Sequence, residues 1–421
     1  MSKGLSMTDR SYSGANDAFR GVLDSLKTAP QLSGDGPEAA RLRRGSREHL
    51  NFNFSLQDPR QRISEGLRVY PAVARFVWMM AANNRLADIA FHEPKVSDFT
   101  DDGLTVPGSS YGMRLRQPLP GMDQLKGAIG RLRSEADSRR AAVTIFQPVD
   151  AVRISNDIPC AFGMFFHNRQ GKLHTTVLMR SNNAFRLLPF NMFEFSLLAE
   201  AVAVEAGLEF GPIAYFAGSM HLYDSDAEAA AKFLATNVVD PPRMEPMPTG
   251  ESPLDQLTTL GRFEADLRHA SGGLNEKTVE DWIVRAGNEL SPYWAQLGLI
   301  LVAGLAAKSG KRAFDIAASR IAAPLRPLLP APGPDSGLLE QPSFGPLFDG
   351  AEAPRVVPIF RTELANRFAA LAEKHETDTG ETVGARRLLQ AQRVIMDRLA
   401  ARGEEQPLTM DAFLKALSES Q

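Results

Sequence analysis

The residues of this chain that could carry covalent chemistry centre on its single cysteine, Cys160, which directly follows Pro159. A lone cysteine is more often a small buried apolar residue than a reactive one. A nucleophilic role needs thiolate character, which nearby positive charge can supply. Arg139, Arg140 and Arg180 lie near it in sequence and are candidate sources of that charge. On the residues alone, both roles stay open.

Two arginine-containing segments stand at the ends of predicted strands. Arg180-Ser181 ends one strand, and Ser138-Arg139-Arg140 begins another. The planar guanidinium fork suits phosphate oxygens, and a serine hydroxyl adds a further donor. Isolated arginine pairs are more often surface ion pairs, so the pattern alone leaves a phosphate site and solvated charges as alternatives.

Three polar residues could bind the rest of a small ligand. Asn191 either caps a helix or presents its amide to the edge of a base, because an amide both donates and accepts. His221 and Tyr223 are two residues apart on a predicted strand, so both side chains face one side. A buried histidine and tyrosine in a core is the ordinary interpretation of that pair.

The elements that would position these residues alternate between strands and helices. Periodicity predicts strands at residues 50–56, 141–146, 161–167, 173–179 and 213–217, the third and fourth forming a hairpin. It predicts helices at residues 14–26, 69–90, 122–133 and 193–207. The predicted fold class is therefore α+β, followed by an all-α C-terminal region.

Composition suggests where the segments divide. Residues 1–40 are rich in Ser, Gly, Asp and Ala and are predicted to be a flexible N-terminal segment, and residues 41–239 form the α+β domain. Residues 240–253 hold five prolines and are predicted to be a linker. Residues 254–421 are predicted to be helical, with helices near 254–267, 276–290, 292–309, 311–322, 360–374, 382–401 and 409–418 and a Pro/Gly-rich insert at 324–358.

Charge and composition argue against several classes of function. The formal net charge of -3 gives no global attraction to nucleic acid or to an acidic membrane. The most apolar stretch, residues 297–307, is too short to span a bilayer. One cysteine cannot form an intrachain disulfide, which fits a reducing compartment, and no secretory signal is seen. We expect a cytoplasmic protein with no metal site.

In their order and spacing, these residues resemble thymidylate synthase, most clearly over residues 158–226. The gaps between the arginine pair, the cysteine, Arg180, Asn191 and His221 fit the family pattern without an insertion or deletion. The resemblance covers less than half of the chain. It is carried by Tyr111-Gly112, Asp137-Ser138-Arg139-Arg140, Pro159-Cys160, Gly171-Lys172-Leu173, Arg180-Ser181-Asn182-Asn183, Pro189-Phe190-Asn191, Gly207-Leu208-Glu209 and His221-Leu222-Tyr223.

The resemblance implies a sheet packed with helices and a homodimer that binds a pyrimidine nucleoside monophosphate. In this family the cysteine adds to C6 of the base and turns C5 into a carbon nucleophile, which assigns that role to Cys160. Arg180 and Ser181 would hold the 5′-phosphate. Arg139 and Arg140 would reach the phosphate bound by the neighbouring subunit.

Further roles follow from the same resemblance. Asn191 would read the edge of uracil, and His221 with Tyr223 would contact the sugar hydroxyl. Tyr111 would belong to the network around the cysteine. The family also uses an arginine from an early phosphate loop, for which Arg44, or its neighbour Arg43, is the candidate.

The chain departs from the family pattern on the side that binds folate. Arg75 stands where the family carries a catalytic glutamate, and it could stabilise negative charge at O4 of the base or pair with an acidic cofactor. Asn183 replaces the aspartate that binds the pterin ring, and Leu187 replaces a glycine. A helical extension stands where the family has an apolar tail. The family cofactor, 5,10-methylene-tetrahydrofolate, is thus expected at a rebuilt site.

Two functions follow from this pattern. The first is an enzyme that adds a one-carbon unit to C5 of a pyrimidine nucleotide, either by methylation or by hydroxymethylation, with dUMP as the expected kind of substrate. The second is a non-catalytic nucleotide-binding or regulatory protein. Arg75 favours the second function, whereas the intact Cys160 favours the first.

Overall fold

A mixed sheet of seven strands organises the part of the chain that this computed structural model describes, residues 10–32, 45–119, 121–153, 155–270 and 274–330. The strand order is β1-β3-β7-β6-β5-β4, and β2 pairs with β3. Strands β6 and β7 are parallel, whereas β3–β7, β4–β5 and β5–β6 are antiparallel. The strands are β1 Ser11–Tyr12, β2 Gln31–Leu32, β3 Ser46–Leu56, β4 Ala142–Thr144, β5 Ala161–Arg169, β6 Lys172–Asn183 and β7 Glu209–Tyr223.

A tight turn joins β5 to β6 and confirms the predicted hairpin. Gln170 and Gly171 both adopt left-handed backbone angles, with φ of 55° and 78°. Two such residues form the turn whose twist matches that of the flanking strands. The next connection is different, because parallel strands need a long crossover, and a helix carries the chain from β6 to β7. This crossover places Ser181 beside Ser219 and Asn183 beside His221.

Eleven α-helices lie within the described residues, together with three short 3-10 helices at Pro94–Phe99, Pro148–Ala151 and Ala323–Leu328. The α-helices are α1 Ala15–Leu26, α2 Val69–Met80, α3 Leu86–Ala90, α4 Tyr111–Arg116, α5 Gln124–Ser134, α6 Leu188–Ala206, α7 Asp224–Ala235, α8 Pro253–His269, α9 Glu276–Glu289, α10 Pro292–Ser309 and α11 Lys311–Ser319.

Helix α6 is the centre of the core. Every residue from Leu188 to Ala203 is buried, so the helix is enclosed on all sides rather than along one stripe. It ends at Gly207, whose φ of 71° is the left-handed cap expected from the sequence. Because α6 is fixed on every side, the polar residues along it are held in defined positions.

Several sequence predictions are corrected by the packing. The predicted helix over residues 69–90 is broken into α2 and α3, with Ala82 in a left-handed conformation between them at a φ of 52°. Strands β6 and β7 extend beyond the predicted bounds, and α7 was not predicted. Within the predicted N-terminal segment, the helix expected at residues 14–26 is present as α1, with Phe19 and Val22 buried in the core. Residues 1–9 and 33–40 lie outside the described ranges.

The predicted linker does not separate two cores. Met247 is buried, and its backbone N–H donates to Glu200 of α6 at 3.2 Å. Beyond it, Phe263 of α8 and Leu301 of α10 belong to the same buried apolar cluster as α6. His92 Nε2 lies 2.7 Å from Glu264 Oε1, so α8 also contacts the segment after α3 by a buried polar pair. The helices predicted near residues 360–418 and most of the predicted 324–358 insert lie outside the described residues.

None of the helices in the described ranges is long and apolar enough to cross a membrane.

Candidate active site

Cys160 lies immediately before β5, where the side chain of Arg180 folds over the same loop. The backbone N–H of Arg180 donates to the Cys160 carbonyl at 2.8 Å. Its guanidinium donates to the carbonyl of Pro159 through Nε and to that of Ile158 through Nη2, both at 2.9 Å. The same Nη2 lies 4.0 Å from Cys160 Sγ. Of the three arginines near the cysteine in sequence, Arg180 is therefore the one that the structure places beside the thiol.

The environment of Cys160 acts on its charge in two directions. Burial raises the pKa of the Cys160 thiol, the positive charge of Arg180 opposes that rise, and the buried carboxyl of Asp157 adds to it. In this state the thiol form is favoured. A further cation, or a change that draws Arg180 closer to Sγ, would favour the thiolate.

Strands β6 and β7 bring Ser181, His221 and Tyr223 together beside Arg180. Ser181 Oγ lies 3.3 Å from His221 Nδ1, and the rings of His221 and Tyr223 pack edge to face with centroids 4.9 Å apart. Burial lowers the pKa of His221 to about 4, so the ring is neutral at pH 7. Within the described chain, the buried His221 Nε2 has no hydrogen-bond partner. An unpaired buried nitrogen is suited to bind a ligand hydroxyl.

Asp157, which the sequence analysis did not single out, fixes the loop before Cys160. Its carboxylate accepts from the backbone N–H of Gly108, and from the backbone N–H and hydroxyl of Ser109, each at 2.6 Å. A side chain at Gly108 would overlap the backbone of Asp157, so only glycine allows this close approach. Asp157 thereby ties the segment that leads into α4 to the cysteine loop.

Tyr111, at the start of α4, lies behind the cysteine as predicted. Its hydroxyl accepts a long hydrogen bond, 3.4 Å, from the backbone N–H of Ala161. Its ring stacks on Phe195 of α6 with centroids 6.0 Å apart. Burial and the nearby Cys160 raise the pKa of the Tyr111 hydroxyl, so it stays protonated at neutral pH. Because its hydroxyl contacts Ala161 and its ring stacks on Phe195, Tyr111 lies between the start of β5 and helix α6.

Arg75 of α2 is held in a buried ion pair. Its Nε donates to Glu194 Oε1 of α6 at 2.7 Å, and its Nη1 lies 3.5 Å from Glu93 Oε2. The guanidinium also lies over the ring of Phe190, 5.2 Å from the centroid. Although burial alone would lower the pKa of Arg75, Glu194 and Glu93 raise it overall, so this residue is a permanent cation.

Sequence reasoning missed Glu194 and Glu93. The available signal for Glu194 was an acid within the apolar helix α6, three residues after Asn191, a spacing that places both side chains on one face. Burial raises the pKa of Glu194, and Arg75 opposes that rise. An acid in this position is either a structural partner of Arg75 or a group that exchanges protons.

Asn191 and Asn183, the two asparagines predicted for the site, differ in what they bond. Asn191 is buried, and its Nδ2 donates to Asn182 Oδ1 at 3.1 Å. Asn183 Oδ1 accepts from the backbone N–H of Phe185 at 3.1 Å and of Arg186 at 2.9 Å. Asn183 therefore stabilises the turn that leads into α6.

Three predicted phosphate ligands are not brought to Cys160 within one chain. Arg139 and Arg140 are exposed, and neither side chain forms a hydrogen bond or an ion pair with any residue that the structure describes. Arg44 lies outside the described residues, as does Arg43. In the described ranges, no group of three His, Cys, Asp or Glu side chains could hold a metal ion.

One face of the sheet is packed by helices, and the residues that the structure describes leave the other face open. On that second face, cross-strand neighbours present apolar side chains that are only partly covered, among them Phe165 of β5, Leu178 of β6 and Phe216 of β7. Phe165 is 42% exposed. Arg180 follows Leu178 by two residues and so points to the same side. The open face therefore adjoins the loop of Cys160.

Comparison with known proteins places the site within a described family. Residues 66–260 match the family model for thymidylate synthase. That segment contains Arg75, Tyr111, Cys160 and the whole of strands β6 and β7. It leaves out strands β1 to β3, the second half of α8 and the helices after α8.

Curated relatives match about a third of the chain. A protein of Methanosarcina acetivorans named "Putative thymidylate synthase" is 34% identical over 145 residues, which are 33% of this chain and 66% of the relative. A protein of the same name from Methanothermobacter thermautotrophicus is 35% identical over 125 residues, 30% of this chain and 55% of the relative. The alignments thus span at most about two thirds of these relatives' own length.

Proposed function

This chain is a member of the thymidylate synthase-like superfamily, and we propose that it transfers a one-carbon unit to C5 of the base of a pyrimidine nucleoside monophosphate. The observation that carries the proposal is the convergence of Cys160, Arg180, Ser181 and His221 on adjacent strand ends. A thiol, a cation and a neutral imidazole at one place provide a nucleophile, a phosphate ligand and a hydroxyl ligand.

The thiol would start the reaction. Attack of Cys160 Sγ on C6 forms a C–S bond, and the electron pair of the C5–C6 double bond moves toward C5 and O4. C5 is then a nucleophile that can take the one-carbon unit. Loss of the C5 proton re-forms the double bond and expels the thiolate, so the enzyme is regenerated. Since the thiol form is favoured without ligand, activation must accompany substrate binding.

Arg180 gives a physical route to that activation. Without ligand its guanidinium donates to the carbonyls of Ile158 and Pro159. A phosphate dianion competes strongly for the same donors, because charge-assisted bonds to Arg are stronger than bonds to neutral carbonyls. Ser181 would add its hydroxyl, and the buried Nε2 of His221, with Tyr223, would bind the sugar hydroxyl. Asn191 would exchange its bond with Asn182 for the edge of uracil.

A homodimer would complete the phosphate site. Arg139 and Arg140 are exposed and make no contact with Cys160 of their own chain. The open apolar face of the sheet, around Phe165, adjoins Arg180 and is suited to pack against a second copy. Such packing would bring two more guanidinium groups toward a phosphate held by Arg180.

The folate side of the site fits the family cofactor poorly. Asn183 stands where the family has a pterin-binding carboxylate, and its oxygen is already used by the backbone of Phe185 and Arg186. We therefore route no step through 5,10-methylene-tetrahydrofolate. Methylation and hydroxymethylation are both compatible with this site, and they differ in their last step, which uses hydride for the first and water for the second.

Nucleotide binding and C5 chemistry can be tested separately. Titration with dUMP, UMP, dCMP and CMP by calorimetry should find binding of at least one nucleotide. Incubation of that nucleotide with the protein in D2O should exchange the C5 proton for deuterium, which NMR detects, and Cys160→Ala should abolish the exchange. Binding without any exchange would favour the nucleotide-binding alternative, and binding of none of the four would overturn the proposal.

A further inference from the structure

Helix α6 carries two buried acids six residues apart, and they have different surroundings. Glu200 is fully buried and is bonded on both oxygens, by Arg60 Nε at 2.6 Å and by Arg62 Nη2. Glu194 accepts from Arg75 Nε on Oε1, and the described ranges contain no other hydrogen bond to it. Both carboxylate oxygens of Glu200 thus accept hydrogen bonds from arginines, whereas Oε2 of Glu194 is available to another group.

The position of Glu194 relates it to the nucleophile. The hydroxyl of Tyr111 accepts from the backbone N–H of Ala161, the residue after Cys160, and the Tyr111 ring stacks on Phe195, the residue after Glu194. Asn191, the proposed reader of the base, lies three residues earlier on the same face of α6. A base bound between Asn191 and Cys160 therefore has Glu194 along one side.

Although Arg75 stands where the family carries a glutamate, the site still contains a carboxylate that can act as a base. A guanidinium cannot accept a proton at neutral pH. Its Nε instead orients the Glu194 carboxylate from α2, while Glu93 shares the positive charge from the other side. The carboxylate is thus carried by α6 and the cation by α2.

We propose that Glu194, positioned by Arg75, is the base that removes the C5 proton of the nucleotide after Cys160 has added to C6 and C5 has formed its bond to the one-carbon unit. This inference rests on the proposed function and names a residue for its last step. Glu194 takes the proton, the electron pair of the C5–H bond re-forms the C5–C6 double bond, and the C6–S bond breaks to release the thiolate. The proton then passes from Glu194 to solvent.

Cofactor-free exchange at C5 isolates this step. After attack by Cys160, a deuteron from D2O adds to C5 on the face that the one-carbon donor would occupy, and Glu194 removes the original proton. Glu194→Gln keeps the shape of the side chain and removes the base. We expect the exchange rate to fall by about 100-fold or more, within the range for general base catalysis, and the nucleotide Kd to change by less than about 3-fold.

The pH profile separates a chemical role from a structural one. The groups that face Glu194 are Arg75 from α2, Glu93 from the segment after α3, and Tyr111 from α4. Only the carboxylate is active, so exchange should decline as pH falls through the pKa of Glu194, which burial raises. Glu194→Asp should keep part of the exchange rate and shift the pH at which exchange declines on the acidic side of the profile (the acid limb).

Glu200→Gln is the matched control, because it also removes a buried, arginine-paired acid from α6. It should lower the unfolding midpoint and leave the pH profile of exchange where it is in the wild type. Wild-type exchange rates in folded Glu194→Gln would overturn the role of Glu194 alone. If Glu194→Gln does not fold, an unmoved acid limb in Glu194→Asp would overturn it. Absence of exchange in the wild type with all four nucleotides would overturn both this role and the proposed function.

Discussion

The strand-borne and helix-borne halves of the candidate site arrange charge differently. The strand-borne half, Cys160, Arg180, Ser181, His221 and Tyr223, holds one cation beside neutral groups and leaves a buried nitrogen unpaired. The helix-borne half, Arg75, Tyr111, Asn191 and Glu194, holds a buried ion pair. A half with unpaired polar groups is suited to bind a ligand, whereas a half with a paired acid and cation is suited to move a proton. Binding of the phosphate and sugar can therefore change independently of acid–base chemistry.

The largest expected effect is in the strand-borne half. Cys160→Ser should abolish turnover and C5 exchange, by at least about 1,000-fold, because loss of a covalent nucleophile costs other enzymes as much or more. Nucleotide binding should stay nearly unchanged, since the thiol reacts and does not dock the ligand. Exchange kinetics measure the loss of activity, and calorimetry on the same preparation measures nucleotide binding. Full activity in the variant would contradict the covalent mechanism.

The helix-borne half should respond almost as strongly to a reversal of charge. Arg75→Glu places a third carboxylate beside Glu194 and Glu93, so their mutual repulsion should destabilise the site and lower activity by about 100-fold or more. Arg68→Gln is the control, because Arg68 contacts Glu93 at 3.1 Å and lies over Phe190, as Arg75 does, yet forms no bond to Glu194. A faster methylase from Arg75→Glu would contradict the assignment of the base to α6.

Mixing two inactive variants tests whether the strand-borne half is completed by a second copy. Arg140→Ala and Arg180→Ala should each lose phosphate binding. In a mixed dimer one of the two sites keeps both arginines, so random mixing should restore about one quarter of the wild-type sites. Calorimetric stoichiometry measures this fraction, and native mass spectrometry verifies the mixed dimer. No recovery in verified mixed dimers would exclude a shared site.

Base preference should depend on one amide in the helix-borne half. Asn191 can accept from N3–H of uracil and donate to its O4, whereas a carboxylate suits the amino group of cytosine better. We expect uridine nucleotides to bind more tightly than cytidine ones by about 1–3 kcal/mol, the cost of an unpaired buried polar group. Asn191→Asp should reverse this order in competition titrations. An unchanged order would show that another residue reads the base.

The smallest expected effect concerns stability and His221. Burial lowers its folded-state pKa to about 4, below the usual value for histidine. Between pH 6.5 and 4 the unfolded chain therefore binds a proton that the folded chain does not, and the free energy of unfolding falls as pH decreases. His221→Gln should remove about 1–2 kcal/mol of this dependence. Urea unfolding at pH 4.5, 5.5 and 7 measures it, and a slope equal to wild type would contradict a buried neutral ring.

Sequence alone predicted the features that depend on local geometry. The β5–β6 hairpin follows from two residues that accept left-handed angles, and strand alternation puts His221 and Tyr223 on one side. The family spacing also identified Cys160 and Arg180, which the structure brings within 4.0 Å. These features were predictable because each depends on local geometry. The alternation of side chains along one strand sets the placement of His221 and Tyr223, and the pairing of two strands joined by a short turn sets the others.

The tertiary structure decided the features that join distant segments. Arg75 and Glu194 are 119 residues apart, and Asp157 reaches back to Gly108 across 49 residues. No local period predicts either contact, because each depends on how whole helices and loops pack. The same applies to α8 and α10, which enter the core of the sheet domain although a proline-rich segment precedes them. A buried charged residue can be recognised in a sequence because it interrupts an apolar pattern. Its partner cannot be recognised in the same way, since only the folded core brings the two charges within hydrogen-bond distance.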